Sequence, residues 1–193
     1  MGENTQIEKL SDNELVRRSI SDQQYFAILV RRYEERLLRY IRRISNVQVE
    51  EAEDILQEVF LKVYRKLNDF DDALPFSSWV YRITRNQTIS AFRKRIRRPQ
   101  AVWWDSEDAI LNIRAEIDID KDVDQTFLRE HIGEVLVEMD KKYKEVLILR
   151  FLEEKSYNEI ADIVKKPAGT VATLIHRAKK QFKKIIEKKQ QTF

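Results

Sequence analysis

With 193 residues and a formal net charge of +3, the chain is long enough for one domain or two small ones. Glycine and proline occur three times each and 36% of the residues are charged, which favours an all-helical fold and excludes β-sandwiches, barrels and glycine-dependent phosphate loops. The absence of cysteine excludes disulfides, cysteine-ligated zinc, iron–sulfur clusters and thiol nucleophiles, and it fits a reducing, intracellular compartment.

The N-terminal part of the sequence predicts four helices. Two capping-box patterns, Ser11–Glu14 and Ser21–Gln24, mark the starts of the first two helices. A third helix is predicted from about Glu50 to the polar turn that begins at Asn68. Its apolar stripe consists of Ile55, Leu56, Val59, Phe60, Val63, Tyr64 and Leu67. The second helix carries an apolar stripe at helical spacing, which consists of Phe26, Leu29, Val30, Tyr33, Leu37, Ile41 and Ile44.

The fourth helix, predicted from about Phe76 to Arg98, interleaves aromatic with basic side chains. Such a helix suits single-stranded nucleic acid, because bases stack on aromatic rings while guanidinium groups pair with phosphates. The candidate DNA-contacting residues of this helix are Trp79, Arg82, Arg85, Asn86 and Arg93. For Phe76 and Trp79 the apolar stripe also favours burial in a core.

The C-terminal part predicts a helix-turn-helix. A helix over Lys141–Leu152 is followed by a capping box, Ser156–Glu159, that opens a short helix. The segment Lys165–Gly169 contains proline and glycine and predicts a turn, after which Thr170 is expected to cap a longer helix. The apolar stripe of that helix consists of Val171, Leu174, Ile175, Ala178, Phe182 and Ile185. A short helix, a turn and a longer helix with a polar outer face form the helix-turn-helix layout.

The outer face of this last helix holds the candidate residues for reading duplex DNA. Residues near the start of a recognition helix contact base edges, which assigns that role to Thr173, His176 and Arg177. Arg177 has the forked guanidinium that pairs with guanine, whereas His176 is equally compatible with a solvent-facing residue of no function. Thr170 and Lys180 complete the predicted DNA-binding set.

The charges are segregated along the chain. Residues 1–98 carry a net charge of +4, residues 99–124 carry −6, and residues 125–193 carry +5. The acidic stretch lacks clear periodicity and predicts a linker between two basic domains. Each domain also has an acid-free run with seven cations, within Ala73–Trp104 and Ile163–Ile186. Two such runs are typical of a protein that neutralises nucleic-acid phosphates.

Three segments resemble those of one family. Ala52–Phe60 is similar to a helix that binds the clamp of bacterial RNA polymerase, and Phe76–Asn86 is similar to a promoter-melting helix. Tyr157–Ala161 and Gly169–Val171, together with Arg177, resemble the helix-turn-helix of the same family. Their order and spacing resemble an extracytoplasmic-function (ECF, group four) sigma factor.

This resemblance implies an all-α protein of two small helical domains joined by an acidic linker. Residues 1–98 would form a region 2-like domain for clamp binding and minus-ten melting, 99–124 the linker, and 125–193 a region 4-like domain for minus-thirty-five recognition. By motif match, the polymerase contacts would be Asp54, Gln57 and Glu58. Asn86 would contact a base, and the Asn68–Pro75 loop would hold an unstacked one.

The implied partners are core RNA polymerase, through its clamp helices and its flap, promoter DNA as duplex and melted strand, and an anti-sigma factor. The acidic linker would pass through the nucleic-acid channels of the polymerase, although a solvated tether explains its composition equally well. No catalytic residue, metal or other cofactor and no membrane insertion is expected, and the location would be cytoplasmic. Ala172 and Leu174 stand where the family commonly has cations. More of the recognition of the minus-thirty-five bases would therefore fall to Thr173, His176 and Arg177.

Two other functions compete with the sigma-factor interpretation. A helix-turn-helix repressor or activator acting without polymerase would explain the C-terminal domain, but it would leave the Trp79–Asn86 helix unexplained. A nucleic-acid-processing enzyme would use Glu53, Asp54 and Glu58 to hold a metal, but no histidine or glycine-rich element accompanies them. Duplex binding by the isolated protein would favour the repressor, and magnesium-dependent cleavage would favour the enzyme.

Overall fold

In the computed structural model, the described residues are 7, 9–94, 113, 117 and 125–191, and the regular structure among them is helical, with no strand. The contacts of the chain divide it into two units. The first comprises Met1–Ile41 and Gln48–Arg95, and the second comprises Arg42–Val47 and Ile96–Phe193. The all-helical, two-domain prediction is confirmed.

The first unit contains the four predicted helices. They are α1 (Asp12–Ser19), α2 (Gln23–Ser45), α3 (Val49–Arg65) and α4 (Phe76–Lys94), and a short 3₁₀ turn at Leu67–Asp69 follows α3. The last four residues of α2 belong to the second unit.

The two predicted N-terminal caps have different outcomes. Ser11 caps α1 as predicted, because its Oγ accepts a hydrogen bond from the backbone N–H of Glu14 at 3.2 Å. The cap of α2 is Asp22 rather than Ser21, since Asp22 Oδ1 accepts from the backbone N–H of Gln24 at 3.0 Å. A carboxylate one residue later takes the place of the hydroxyl, and both satisfy a free amide at a helix start.

The core of the first unit is built from the apolar stripes of its helices. Tyr40 of α2 and Tyr81 of α4 are fully buried with ring centroids 5.0 Å apart. Helices α3 and α4 pack against each other, and α1 packs on α4. Other buried core residues are Leu15, Leu29, Tyr33, Leu37, Ile41, Ala52, Val59, Val63, Phe76 and Val80. The stripes fix which helix faces remain in solvent.

The second unit has more elements than the sequence predicted. They are α5 (Gln125–Glu138), α6 (Lys141–Leu147), a π-helical turn (Ile148–Leu152), α7 (Tyr157–Val164) and α8 (Ala168–Gln190). Helix α5 was not predicted, and the predicted helix Lys141–Leu152 is divided into α6 and the π-helical turn. Helix α8 packs against α5, α6 and α7.

The turn of the helix-turn-helix forms at Lys165. The Ser156–Glu159 capping box opens α7 as predicted, with both reciprocal hydrogen bonds present. Lys165 ends α7 in a left-handed conformation (φ 55°, ψ 53°), which returns the chain within two residues to Pro167, the N-cap of α8.

Two predictions about the start of α8 were wrong. Thr170 does not cap the helix, because α8 begins at Ala168 and Thr170 lies inside its first turn. Gly169, predicted to lie in the turn, is instead the second residue of α8 and has no left-handed φ. The left-handed residue of the turn is Lys165 instead.

The predicted acidic linker, 99–124, lies largely outside the described residues. Ile113 and Ile117 are described, both in helical conformation and only 2% and 5% exposed. A fully solvated tether would expose them, so at these two positions the segment is packed rather than solvated.

Helix α6 buries an ammonium group in the second unit. Lys144 is only 8% exposed, beside buried Val146 and Leu147 on the same helix. Burial, with a smaller contribution from repulsion by Lys141, lowers the pKa of Lys144 to about 8. In the unfolded chain the pKa is expected near its ordinary value of about 10.4. The unfolded state therefore binds more protons between these two values, and the free energy of unfolding rises with pH across that window.

We expect Lys144→Met to raise the free energy of unfolding at pH 7 by about 1 kcal/mol, because methionine fills the same site without the cost of burying an ammonium charge. The variant should also lose the rise in stability between pH 8 and pH 10 that the unmodified protein shows. Urea melts at pH 7 and pH 10 measure both effects. Lys142→Met, at an exposed position of the same helix, is the matched control. If the free energy of unfolding changes with pH in the same way for the unmodified protein and for Lys144→Met, a lowered pKa of Lys144 is contradicted.

Candidate nucleic-acid and partner interfaces

One exposed face of α3 brings together the three predicted polymerase contacts. Asp54, Gln57 and Glu58 are all exposed, and their spacing of three and four residues places them on the same side of the helix. The opposite side is buried through Ile55, Leu56, Val59 and Val63. The carboxylates therefore face solvent because the apolar stripe fixes the rotation of the helix.

Gln87 of α4 reaches this face of α3. Its side-chain N–H donates a hydrogen bond to the Glu58 carboxylate, and its carbonyl oxygen accepts from the Lys62 ammonium at 3.3 Å. The Glu58 carboxylate is thereby linked to α4. Sequence reasoning missed Gln87, because the contact joins residues 29 positions apart.

Two apolar side chains extend the same surface. Leu61 is 57% exposed and follows Gln57 by one helical turn, and Tyr64 is 42% exposed. The Tyr64 ring packs at 5.1 Å from that of Phe26. Tyr64 was predicted to lie in the buried stripe. Leu61 could have been identified from the sequence, because it lies outside the apolar stripe, on the polar side of α3. A large aliphatic side chain at such a position is not buried by folding.

Helix α4 presents a second polar face. Arg82, Asn86 and Arg93 repeat at helical spacing and share one side of α4. Asn86 is exposed, Arg82 and Arg85 are half-buried, and the side chain of Arg93 lies outside the described residues. Three of the predicted DNA contacts are therefore at least partly accessible.

The prediction that Trp79 contacts DNA requires correction. Its side chain is only 6% exposed, and its ring lies 5.3 Å from that of Phe70 and 5.7 Å from that of Phe76. The alternative interpretation of Trp79 as a core residue is the one the fold supports. Its position on the apolar stripe turns the ring inward, where burial of an aromatic surface stabilises the helix packing.

The Asn68–Pro75 loop is ordered by contacts at its centre. Phe70 is half-buried against Phe76, with ring centroids 5.7 Å apart. Asp71 forms a turn in which its Oδ1 accepts from the backbone N–H of Ala73 and its carbonyl oxygen from that of Leu74, both at 3.0 Å. The polar side chains of the loop remain exposed, so they are accessible to a ligand.

The outer face of α8 exposes all five predicted DNA-reading residues. Thr170, Thr173, His176, Arg177 and Lys180 are exposed, while the inner face buries Val171, Ile175, Ala178, Phe182 and Ile186. The Thr173 hydroxyl donates to the carbonyl oxygen of Gly169 at 3.0 Å. Thr173 therefore offers DNA a methyl group and oxygen lone pairs rather than a donor.

The carboxylates of α3 show no metal-binding arrangement. In the described part of the chain, no group of three or more aspartate, glutamate or histidine side chains is placed to hold a metal ion. Within the same residues, no helix is both long and apolar enough to cross a membrane.

Comparisons with known proteins match both units. A family model described as Sigma-70 region 2 matches residues 29–98, and one described as Sigma-70, region 4 matches residues 129–182. The ECF RNA polymerase sigma factor SigW of Bacillus subtilis is 33% identical over 178 residues, covering 84% of this chain and 89% of that protein.

Two solved structures share the fold at lower identity. CnrH, in complex with the cytosolic domain of CnrY, is 22% identical with a TM-score of 0.67, and the match covers 91% of this chain and 97% of CnrH. The sigma factor RpoE of Bartonella quintana, in complex with the anti-sigma factor NepR, is 19% identical with a TM-score of 0.63. That match covers 84% of this chain and 96% of RpoE.

Proposed function

The chain belongs to the ECF sigma factors of bacterial RNA polymerase, and we propose that its two helical units divide the work of promoter opening and promoter recognition. As a sigma factor, it binds core RNA polymerase and directs promoter-specific initiation. We assign residues 1–98 to clamp binding and minus-ten melting, 99–124 to a connecting linker, and 125–193 to minus-thirty-five recognition. Sigma factors are initiation factors, and we assign this chain no reaction of its own.

The exposed face of α3 is the proposed contact with the clamp helices of the polymerase. Asp54 and Glu58 supply negative charge and Gln57 an amide, a surface that suits a basic partner helix. Leu61 adds apolar area next to these groups, and an interface of this kind gains most of its affinity from a desolvated apolar centre with a polar rim.

The exposed face of α4 and the Asn68–Pro75 loop are the proposed minus-ten site. Opening a duplex costs a few kcal/mol for each unstacked step, so the protein has to hold the released base by hydrogen bonds and stacking. Asn86 supplies an exposed amide for such a base, while Arg82 and Arg85 supply positive charge for the phosphates of the DNA backbone. Trp79 supports this site from the core through its contact with Phe70.

The outer face of α8 is the proposed minus-thirty-five reader. Thr173, His176 and Arg177 lie in the first half of the helix, where a recognition helix meets base edges in the major groove. Arg177 offers a bidentate contact to guanine, and Lys180 and Lys184 follow on the same face to meet phosphates. We assign a contact with the polymerase flap to this same unit.

We also infer regulation by an anti-sigma factor, because one structure of the same fold is a complex with an anti-sigma factor. We propose that the acidic linker passes through the nucleic-acid channels of the polymerase before RNA fills them. Since core RNA polymerase acts in the bacterial cytoplasm, we place the chain there.

The observation that carries this proposal is that the predicted polymerase contacts of α3 and the DNA contacts of α8 all lie on exposed faces opposite buried stripes. The test is transcription in vitro from a library of genomic fragments, with core polymerase from several bacteria, in the presence and absence of the protein. New start sites that share two upstream motifs are expected. If no core polymerase binds and no new start sites arise, a repressor acting without polymerase becomes the better explanation.

A further inference from the structure

We propose that α1 positions the Asn68–Pro75 loop for base capture, with Asn13 and Arg17 as positioning residues that hold Asp72. The inference rests on the proposed function of this loop as the pocket for an unstacked minus-ten base. It adds a part of the chain, α1, that the proposed function leaves without a role.

Asp72 is held at two of its groups from one face of α1. The Arg17 guanidinium donates through Nε to Asp72 Oδ2 at 2.8 Å, and the Asn13 amide donates to the Asp72 backbone carbonyl oxygen at 3.1 Å. Asn13 and Arg17 are four residues apart, so they lie one above the other on the helix. Binding both the carboxylate and the carbonyl fixes the orientation of the loop backbone at Asp72.

Helix α1 is itself anchored firmly enough to act as a support. Leu15 and Val16 are 0% and 2% exposed and pack into the core of the first unit. The Asp12 carboxylate accepts hydrogen bonds from the hydroxyl of Tyr33 and the guanidinium of Arg32, both on α2. Helix α1 is thus joined to α2 by polar contacts and to the core by apolar ones.

The loop is held at a second point two residues earlier. Phe70 packs against Phe76 and Trp79 of α4, whose rings lie 5.7 and 5.3 Å away. With Phe70 fixed by α4 and Asp72 fixed by α1, the backbone between them has little freedom left. A loop ordered before the base arrives loses less conformational entropy on binding, which favours both capture and discrimination of the base.

The experiment measures the lifetime of open complexes formed with core polymerase on two promoters that differ in one minus-ten base. The ratio of the two lifetimes is the discrimination. Asn13→Ala combined with Arg17→Ala is expected to lower this ratio by about three- to tenfold, because the hydrogen bond of Asn13 and the ion pair of Arg17 to Asp72 are both lost. Alanine favours helix, so α1 itself should remain folded.

Arg18→Ala is the matched control. Arg18 is a neighbouring exposed arginine of α1, but it bonds to Glu14 on the same helix instead of the loop, and its removal should leave the ratio unchanged. The variant that exchanges the two charges, Arg17→Asp with Asp72→Arg, can form the ion pair in the opposite sense. Its ratio of lifetimes should therefore be higher than that of the double alanine variant. Affinity for core polymerase, measured in parallel, should be the same for all variants.

The outcomes separate this inference from the function on which it rests. If the unmodified protein discriminates and the double alanine variant matches Arg18→Ala, the role of α1 is overturned while the proposed function stands. If the unmodified protein does not discriminate at minus ten, both are overturned. If the double variant also loses polymerase affinity in proportion, its effect is general destabilisation, and the positioning role is overturned.

Discussion

Replacing Asp54 and Glu58 together by lysine is expected to weaken binding to core RNA polymerase by about 30-fold or more, because two attractive charges become repulsive across the interface. Both side chains are exposed on α3, opposite the buried stripe, so the helix should remain folded. The measurement is competition with labelled unmodified protein for core polymerase, with circular dichroism as the check on folding.

Asp54→Lys alone should produce much of this loss, because it too replaces an attractive charge by a repulsive one. Asp54 takes no part in the hydrogen bonds that Gln87 makes with Glu58 and with Lys62, so this substitution leaves them in place. Glu34→Lys is the matched control, since it makes the same charge change at an exposed position of α2. Unchanged competition by the double lysine variant would rule out this face as the clamp contact.

Arg177→Ala is expected to weaken binding of the holoenzyme to its cognate promoter by about 1–3 kcal/mol, or roughly 5- to 150-fold. The loss arises because an exposed fork of donors on α8 no longer meets a guanine edge. The effect should depend on sequence: at a promoter with a scrambled minus-thirty-five element, the same substitution should change little.

Lys184→Ala is the comparison within the same helix. Lys184 is exposed on α8 beyond the proposed base readers, and its loss should weaken binding about equally at all sequences and reduce the salt dependence. Equal losses at cognate and scrambled promoters for Arg177→Ala would show that Arg177 contacts only phosphate.

Much of the fold could be predicted because its signals are local. The apolar stripes of α2 and α3 and the caps at Ser11 and Ser156 lie within a few residues of the elements they define. The stripe of α3 also predicts that Asp54, Gln57 and Glu58 face solvent, as they do. Exposure of a helix face follows from the periodicity of its apolar residues.

The features that could not be predicted depend on distant parts of the chain. The start of α8 was placed too late because Thr170 has a capping side chain, whereas the helix begins as soon as the left-handed Lys165 has turned the chain. The Arg17–Asp72 ion pair joins residues 55 positions apart and leaves no local pattern in the sequence. The burial of Trp79, by contrast, was one of the two interpretations that the apolar stripe of α4 allows, but its contact with Phe70 could not be predicted.

The division of α8 into an inner and an outer face has an evolutionary consequence. Helix α8 packs against α5, α6 and α7, and Val171, Ile175, Ala178 and Phe182 are buried, so we expect substitutions at these inward positions to destabilise the fold. Positions 172, 173, 176, 177 and 180 are exposed and contribute little to stability, so substitutions there are nearly neutral for folding. With this face as the proposed promoter reader, we expect promoter preference to diverge rapidly between gene duplicates while the inward-facing core of the unit stays the same.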